Sequence, residues 1–335
     1  MTKLLVYAPA PDFRNEPAFR IRLANLREAM RRRGFQWDFQ PRPKSPWGRL
    51  ALAQAARHYD GVILHRKLLD GYEARALRRS LPRPGRIFLD IDDVTMIHET
   101  ALGGIARRRL ARRFEATMKI LDVACAGNDH LAEVFQKRGI KTTVIPSVVD
   151  PAAYPVKQAR ATDSPALVWI GSASTRKYLE ESFPALERAA ARVAHLRLVV
   201  ICDAAPAAAP LPLEFIPWSL EGEAAALLRG DIGIAPTPEN PWTLGKSGFK
   251  IVQYLAAGLP VIASPVGFNA RLVRPGPPAA WAGLLPVEWG EWAGAIEELA
   301  GDVGLRARYG AAGRGRIEGE LCVEQAADLW ARALG

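Results

Sequence analysis

The sequence lacks the devices that define several large protein classes. Cysteine is scarce: Cys125, Cys202 and Cys322 are the only three in 335 residues, and they lie far apart in apolar surroundings. Their spacing fits neither a disulfide framework nor a zinc site, so they read as core residues in a reducing compartment. Every uncharged stretch is broken by Gly or Pro before it reaches the roughly 20 residues that a membrane-spanning helix needs. Met1 to Pro9 carries one Lys, a short apolar run and early prolines, which is not the pattern of a signal peptide. The G-x-x-x-x-G-K spacing of a Walker loop is missing, and no glycine-rich fingerprint follows the first apolar run. There is no internal repeat, and the one biased tract is the Ala-Pro run from Ala204 to Pro210. The expectation is a cytoplasmic protein.

What the chain does have is unevenly placed positive charge. Residues 1–150 carry 28 Lys and Arg against 16 Asp and Glu, a net charge of +12; residues 151–335 carry 17 against 19. Such asymmetry points to an anionic partner for the first half, or to a well-solvated arginine surface. The densest cluster lies between Gly103 and Leu121, with Arg107, Arg108, Arg109, Arg112 and Arg113. At helical spacing, Leu110, Phe114, Met118 and Leu121 share one face and the arginines the other. That helix is expected to pack its apolar face on a sheet, leaving the arginines free to touch lipid headgroups or an anionic acceptor. No stacking-aromatic pattern or nucleic-acid motif is present, so nucleic acid is not an expected partner.

Apolar runs alternate with helical spacing along the first 150 residues. Strands are expected at Leu4 to Ala8, Gln36 to Gln40, Gly61 to His65, Arg86 to Ile91, Val123 to Ala126 and Thr143 to Pro146. Between the first two, Phe19, Leu23, Leu26 and Met30 predict a helix from Ala18 to Arg33, stopped by Gly34. Alternation of this kind implies a parallel sheet, with ligands outside the carboxyl ends of the strands. The fourth strand runs into Asp90-Ile91-Asp92-Asp93. Asp92 and Asp93 are candidates for holding a divalent cation or for accepting a proton from a bound hydroxyl; a helix cap and a loop contact are the plainer alternative. Arg14, Arg20 and Arg22 lie near the first turn, where they could meet an acceptor phosphate or sit in water.

Pro151 to Ser164 has no period and reads as a linker. Beyond it, Leu167 to Ile170 starts a second sheet, and Gly171 to Thr175 is a small-residue turn ahead of a helix from Tyr178 to Arg192. Such a turn is a candidate anion site. Further strands are expected at Leu196 to Cys202, Glu214 to Pro217 and Asp231 to Pro236. The chain is organised around Asp231 to Gly267, which reads as strand, loop, helix, strand. Gly245-Lys246-Ser247-Gly248 opens the helix, which runs from Lys246 to Ala257 and stops at Gly258-Leu259-Pro260. Helix-start amides with glycines beside them bind phosphate, and Lys246 and Lys250 are expected to share one helix face and add charge there.

Gln253-Tyr254-Leu255-Ala256-Ala257-Gly258-Leu259-Pro260-Val261-Ile262-Ala263 resembles, without a gap, the E-A-M-A-x-G-x-P-V-V-A segment of the donor-binding motif of retaining two-domain (GT-B) glycosyltransferases, glycosyltransferase family 4. In that motif an E-G-F-G loop opens the helix. Its first glutamate falls on Gly245, its second loop glycine on Gly248 and its second glutamate on Gln253, so both family glutamates are absent. The G-K-x-x-x-K arrangement resembles a variant in which lysines strengthen the diphosphate grip. The run from Ala126 to Asp150, closing I-P-S-V-V-D, is similar to the family's last N-domain unit, with Ser147-Val148 replacing Asn-Gly.

The resemblance implies an α/β fold of two Rossmann-like domains facing a cleft. Residues 1–150 would form the acceptor domain, 151–164 the linker and 165–318 the nucleotide-sugar domain, with a last helix within 319–335 returning to the first domain. The activity implied is transfer of a sugar, with retention, from a nucleotide-diphosphate sugar to a hydroxyl of a glycan, lipid-linked sugar or cell-surface polysaccharide. A cofactor is not implied, and departure of the diphosphate would be metal-independent. Gly171, Ser172, Arg176, Trp218, Glu239, Gly245, Ser247, Gly248, Lys250 and Gln253 would bind the donor. Within that set Trp218 would stack on the base, Gln253 would hydrogen-bond the ribose and Glu239 is a substitute for a lost carboxylate. Lys246 would stabilise the leaving diphosphate, and Asp92 or Asp93 would orient or deprotonate the acceptor hydroxyl. Arg14, Arg20 and His98, the last from a second His-Glu pair with Glu99, are candidates on the acceptor side. The alternative is a non-catalytic, sugar-nucleotide-binding partner subunit. Either could lie at the inner face of a cell membrane.

Overall fold

The computed structural model describes residues 1–9, 16–94 and 103–335. They divide into two compact units. The first is Met1–Val148 with Gly245–Ser247 and Val323–Gly335; the second is Val149–Leu244 with Gly248–Cys322.

The first unit holds a six-stranded parallel sheet. Its strands are β1 (Thr2–Ala8), β2 (Phe35–Pro41), β3 (Gly61–His65), β4 (Arg86–Ile91), β5 (Val123–Ala126) and β6 (Lys141–Val144), in the order β2-β1-β3-β4-β5-β6. The central strands are nearly continuous apolar runs because helices cover both faces of the sheet. On one face Phe19, Met30, Trp37, Ile63 and Phe88 pack with Trp330; on the other Leu64, Leu77, Leu89 and Phe135 pack with Phe114 and Met118. The arginine-rich helix Gly104–Met118 therefore buries the face that its spacing indicated. The helix Val323–Leu334 also belongs to this unit, held by Trp330 edge-on to Trp37, 5.5 Å between ring centres, and by Arg33 to Asp328 at 2.7 Å.

The expected helix Ala18 to Arg33 is broken. It runs as Pro17–Arg22, a tight turn at Ala24–Leu26 and a second helix, Arg27–Arg32. The break turns Arg22 inward, where it meets a buried carboxylate.

The second unit holds the other sheet: β7 (Ala166–Ile170), β8 (Arg197–Cys202), β9 (Leu213–Pro217), β10 (Ile232–Ala235), β11 (Val261–Ala263) and β12 (Gly283–Leu284), again parallel, in the order β12-β11-β10-β7-β8-β9. The expected helix Tyr178 to Arg192 is two helices, Ala173–Glu181 and Phe183–Ala190. Pro184 has no amide proton to give and cannot continue the first helix, and the Ser182 hydroxyl donates to Leu179 O at 2.6 Å at the junction. In each sheet the strand order reverses once, between β1 and β3 and between β7 and β10. Those switch points are where an open α/β sheet leaves room for a ligand.

Candidate substrate-binding sites

In the first unit, chemistry gathers at the carboxyl ends of β3 and β4. Asp90, wholly buried, accepts hydrogen bonds from Arg22 Nη2 at 2.5 Å and from Arg22 Nε at 3.2 Å, and its other oxygen lies 2.7 Å from His65 Nδ1. Burial acts to raise the Asp90 pKa, but Arg22 and His65 more than offset it and hold the carboxyl below its ordinary range. Arg66, the residue after β3, has a backbone φ of 49°, a left-handed conformation uncommon for a side chain of this size. Its guanidinium donates to Asp92 and reaches Asp93 Oδ2 at 3.9 Å. Asp93 and Arg66 remain partly open to solvent, whereas Asp92 is buried. This end of the sheet thus presents a cation held between two carboxylates, an arrangement that can orient a polar hydroxyl.

Gly245–Ser247 joins the same unit. The Ser247 hydroxyl donates to Asp92 O at 2.8 Å, and the buried Asn128 side chain donates to Gly245 O at 2.9 Å and Lys246 O at 3.2 Å. Asn128 also caps the helix Asp129–Gln136 by accepting from Leu131 N–H at 2.9 Å.

In the second unit one side chain bridges the two strands at the switch point. The Tyr254 hydroxyl accepts from Ile170 N–H and donates to Ile234 O, both at 3.0 Å. It thereby bridges β7 and β10 where their direct pairing has ended at Val168 and Gly233. Burial pushes the Tyr254 phenol well above its usual range, so the hydroxyl stays a donor. Gly233 is required beneath it, since a Cβ there would come within 2.5 Å of the Tyr254 ring. Tyr254 fixes the helix Phe249–Ala256, and the preceding residue, buried Gln253, donates to the Tyr154 hydroxyl at 3.3 Å. Tyr154 in turn lies 3.4 Å from Glu223 Oε1, and Glu223 Oε2 accepts from the Trp218 indole at 2.8 Å. Gln253 and Trp218, far apart in sequence, are thus two ends of one hydrogen-bonded chain. At the start of this helix Lys250 Nζ stands over the Trp169 ring, 4.1 Å from its centre.

No family model matches the sequence, and no curated protein is recognisably similar to it. Solved structures are similar in fold over almost the whole chain. A sucrose-phosphate synthase from Thermosynechococcus elongatus superposes with a TM-score of 0.68 at 16% identity, covering 99% of this chain and 98% of that one. A structure of trehalose-6-phosphate from E. coli bound with UDP-2-fluoro glucose gives 0.67 at 13% identity over 99% of each chain. A UDP-forming trehalose-phosphate synthase from Burkholderia xenovorans gives 0.64 at 14% identity over 100% of this chain and 99% of that one. The fold is GT-B.

Several sequence expectations change within it. The helix expected from Lys246 begins at Phe249, because Gly248 takes a left-handed φ of 63° that a helix cannot run through. Lys246 therefore lies outside the helix and shares no helix face with Lys250, and the amides of Gly245 to Ser247 are not helix-start donors. Gly245 is small because Val94 Cγ1 would lie 2.0 Å from a Cβ there, and Gly171 because the Trp169 ring would lie at 2.5 Å. At the Gly171-Ser172 turn the first helical amide, Ala173 N–H, already binds Asp203 at 2.6 Å. A hydrogen bond from the Cys202 thiol holds Asp203 below the ordinary carboxylate range, so a side-chain anion occupies part of that turn. Arg176 is engaged with Glu180 at 2.9 Å and with the carbonyls of Ala204 and Ala205, while Glu239 is exposed. Arg20 is half-buried on the helix Pro17–Arg22, and Arg22 is not a surface cation. Arg66 pairs with Asp92 and approaches Asp93, the two carboxylates whose sequence alternative was a divalent cation. Arg14 and His98 lie outside the described residues. His65, Arg66, Asn128, Tyr154 and Glu223 were not singled out by sequence; only the A-G-N-D-H run pointed near one of them.

Proposed function

We propose that this chain is a glycosyltransferase that moves a sugar from a nucleotide-diphosphate sugar to an acceptor hydroxyl, with retention of anomeric configuration. One observation carries the reading. The chain shares its whole two-unit fold with sugar-phosphate synthases, one described as UDP-forming, and with a structure bound with UDP-2-fluoro glucose. UDP-sugars are accordingly the first donors to test.

The second unit would hold the donor. Trp218 and Gln253, linked through Tyr154 and Glu223, would meet the nucleoside. Lys250, Gly248, the turn at Gly171-Ser172 with Arg176, and the exposed Glu239 would meet the diphosphate and sugar. In the reaction the bond from the anomeric carbon to the diphosphate oxygen breaks, and a bond from that carbon to the acceptor oxygen forms. Lys250 stabilises charge developing on the departing diphosphate without calling on a metal ion. In the first unit Asp93, more open than Asp92, would accept the hydroxyl proton, with Arg66 fixing both carboxylates. A glycan or lipid-linked sugar is the acceptor class to try first.

The test is a thermal-shift panel of nucleoside diphosphates and their sugars, followed by product analysis with the stabilising donor. Stabilisation by a uridine nucleotide, with transfer or donor hydrolysis lost in Lys250→Ala, is expected. Absence of stabilisation by every member would overturn the donor site. A second reading, a sugar-nucleotide-binding subunit without transfer activity, is favoured by Gly245, where packing against Val94 leaves no room for the family's carboxylate. Donor binding with no turnover under any acceptor would select it.

A further inference from the structure

The first unit carries an arginine-walled cavity that glycosyl transfer does not explain. It measures about 570 Å³ and is lined by Asp70, Gly71, Ile105, Arg108, Arg109, Arg112 and Arg113. Four guanidinium groups face one carboxylate. That carboxylate is already committed: Asp70 accepts from Arg113 at 2.7 and 3.0 Å and from Arg49 at 2.8 Å. The hydrogen bonds from Arg113 hold Asp70 below the ordinary carboxylate range, so it stays ionised and neutralises part of the charge only. Arg108, Arg109 and Arg112 add three further positive charges to the cavity wall, and the helix that bears them is exposed along its first turns.

The rim is apolar. Ile105 in the cavity wall is 87% exposed, the most exposed large hydrophobic residue of the chain among those described. Trp47, 81% exposed, stands on the first turn of the helix Pro46–Ala55, two residues before the Arg49 that binds Asp70. Arg49 in turn lies over the exposed Tyr72 ring, 5.8 Å from its centre. A free phosphate or a nucleic-acid backbone would satisfy the arginines and leave Ile105 in water. A lipid surface satisfies both parts: phosphate headgroups enter the basic cavity, and Ile105 and Trp47 pass into the headgroup–acyl boundary, where tryptophan is favoured.

We propose that this face docks onto an anionic phospholipid bilayer. The chain binds by the surface of the helix Gly104–Met118 and the adjoining turn of Pro46–Ala55, without crossing the bilayer. Basic groups near an anionic leaflet and an apolar anchor act together, so removal of either weakens attachment.

The test is sedimentation of the full chain with vesicles of phosphatidylcholine alone and of phosphatidylcholine with one quarter phosphatidylglycerol. Binding to the anionic vesicles only is expected. It should fall roughly tenfold or more in Arg108→Gln/Arg112→Gln, given the typical contribution of each basic residue. It should also fall in Ile105→Ser and Trp47→Ser, surface changes that leave the core intact. The nucleotide-induced thermal shift should be unaltered in all of these variants, which separates this inference from the donor site. No sedimentation with anionic vesicles would overturn the proposal. So would binding that is indifferent to Ile105→Ser and Trp47→Ser and is displaced by millimolar inorganic phosphate, the behaviour of a soluble-anion site.

Discussion

The guanidinium of Arg22 meets the carboxylate of Asp90 at 2.5 Å, and their side chains are 1% and 0% exposed. A buried ion pair of this kind is held by geometry more than by net attraction, since both charges have left water. Removing one partner strands the other. Asp90→Leu or Arg22→Met should each cost about 3–5 kcal/mol. Arg22→Met/Asp90→Leu should recover much of that loss, because neither charge then remains in the core. Urea midpoints of the four proteins measure the coupling.

Acid should expose the same pair. Asp90 and Asp70 both have folded pKa values below their ordinary range. A depressed folded pKa means that the stabilisation is fully present above the unfolded value of about 3.9 and is lost as pH falls through the folded value. The urea midpoint should therefore change little from these groups between pH 5 and 7, and drop steeply below about pH 4. In Asp70→Asn the drop should be shallower, because one contributor is already gone.

Two glycines of the loop ahead of the helix Phe249–Ala256 should resist substitution for different reasons. Gly245→Ala places a methyl group 2.0 Å from Val94 Cγ1 and should cost about 1–3 kcal/mol through overpacking. Gly248→Ala puts a side chain at φ 63° and 2.6 Å from Leu272 Cδ1, adding roughly 1–2 kcal/mol of backbone strain to the crowding. Gly294→Ala, in the helix Trp289–Gly301 with open space around it, should stabilise by about 0.5–1 kcal/mol. Thermal melts of the three variants give the ranking directly.

The link between Gln253 and Trp218 should be visible in nucleotide affinity. Tyr154→Phe removes the hydroxyl between Gln253 and Glu223 and leaves the ring packed. Loss of hydrogen bonds worth about 0.5–1.5 kcal/mol each predicts a nucleoside diphosphate Kd weaker by roughly threefold to tenfold. Calorimetric titration checks it; an unchanged Kd would place the network outside the nucleoside site.

The thiols should be silent. Cys125, Cys202 and Cys322 are buried, and burial raises the pKa of Cys125 and Cys202, so little thiolate forms near neutral pH. Disulfide exchange with an aromatic disulfide reagent should titrate none of them in the folded protein and all three after denaturation.

The strands were readable because a parallel sheet covered on both faces demands apolar runs, and the chain writes them as Leu4 to Ala8, Gly61 to His65 and Leu196 to Cys202. Gly258 followed by Pro260 marked the end of the helix Phe249–Ala256, since its left-handed φ of 70° is one that glycine accepts without strain. The start of that helix was not readable. A Gly-Lys-Ser-Gly run is compatible with a helix beginning at any of its residues, and the left-handed angle of Gly248 that sets the start is not written in the run itself.

By itself, then, the sequence determined two parallel α/β sheets, the placement of glycine and proline at their turns, a basic first half and the Gln253–Ala263 segment. These are local matters of period, propensity and composition. The tertiary structure alone decided that Arg22 turns inward to Asp90, that Arg66 sits between two aspartates, that Tyr254 bridges β7 and β10, and that Gln253 reaches Trp218 through Tyr154 and Glu223. Each of these joins residues far apart along the chain, and no local preference encodes a partner that only packing brings within reach.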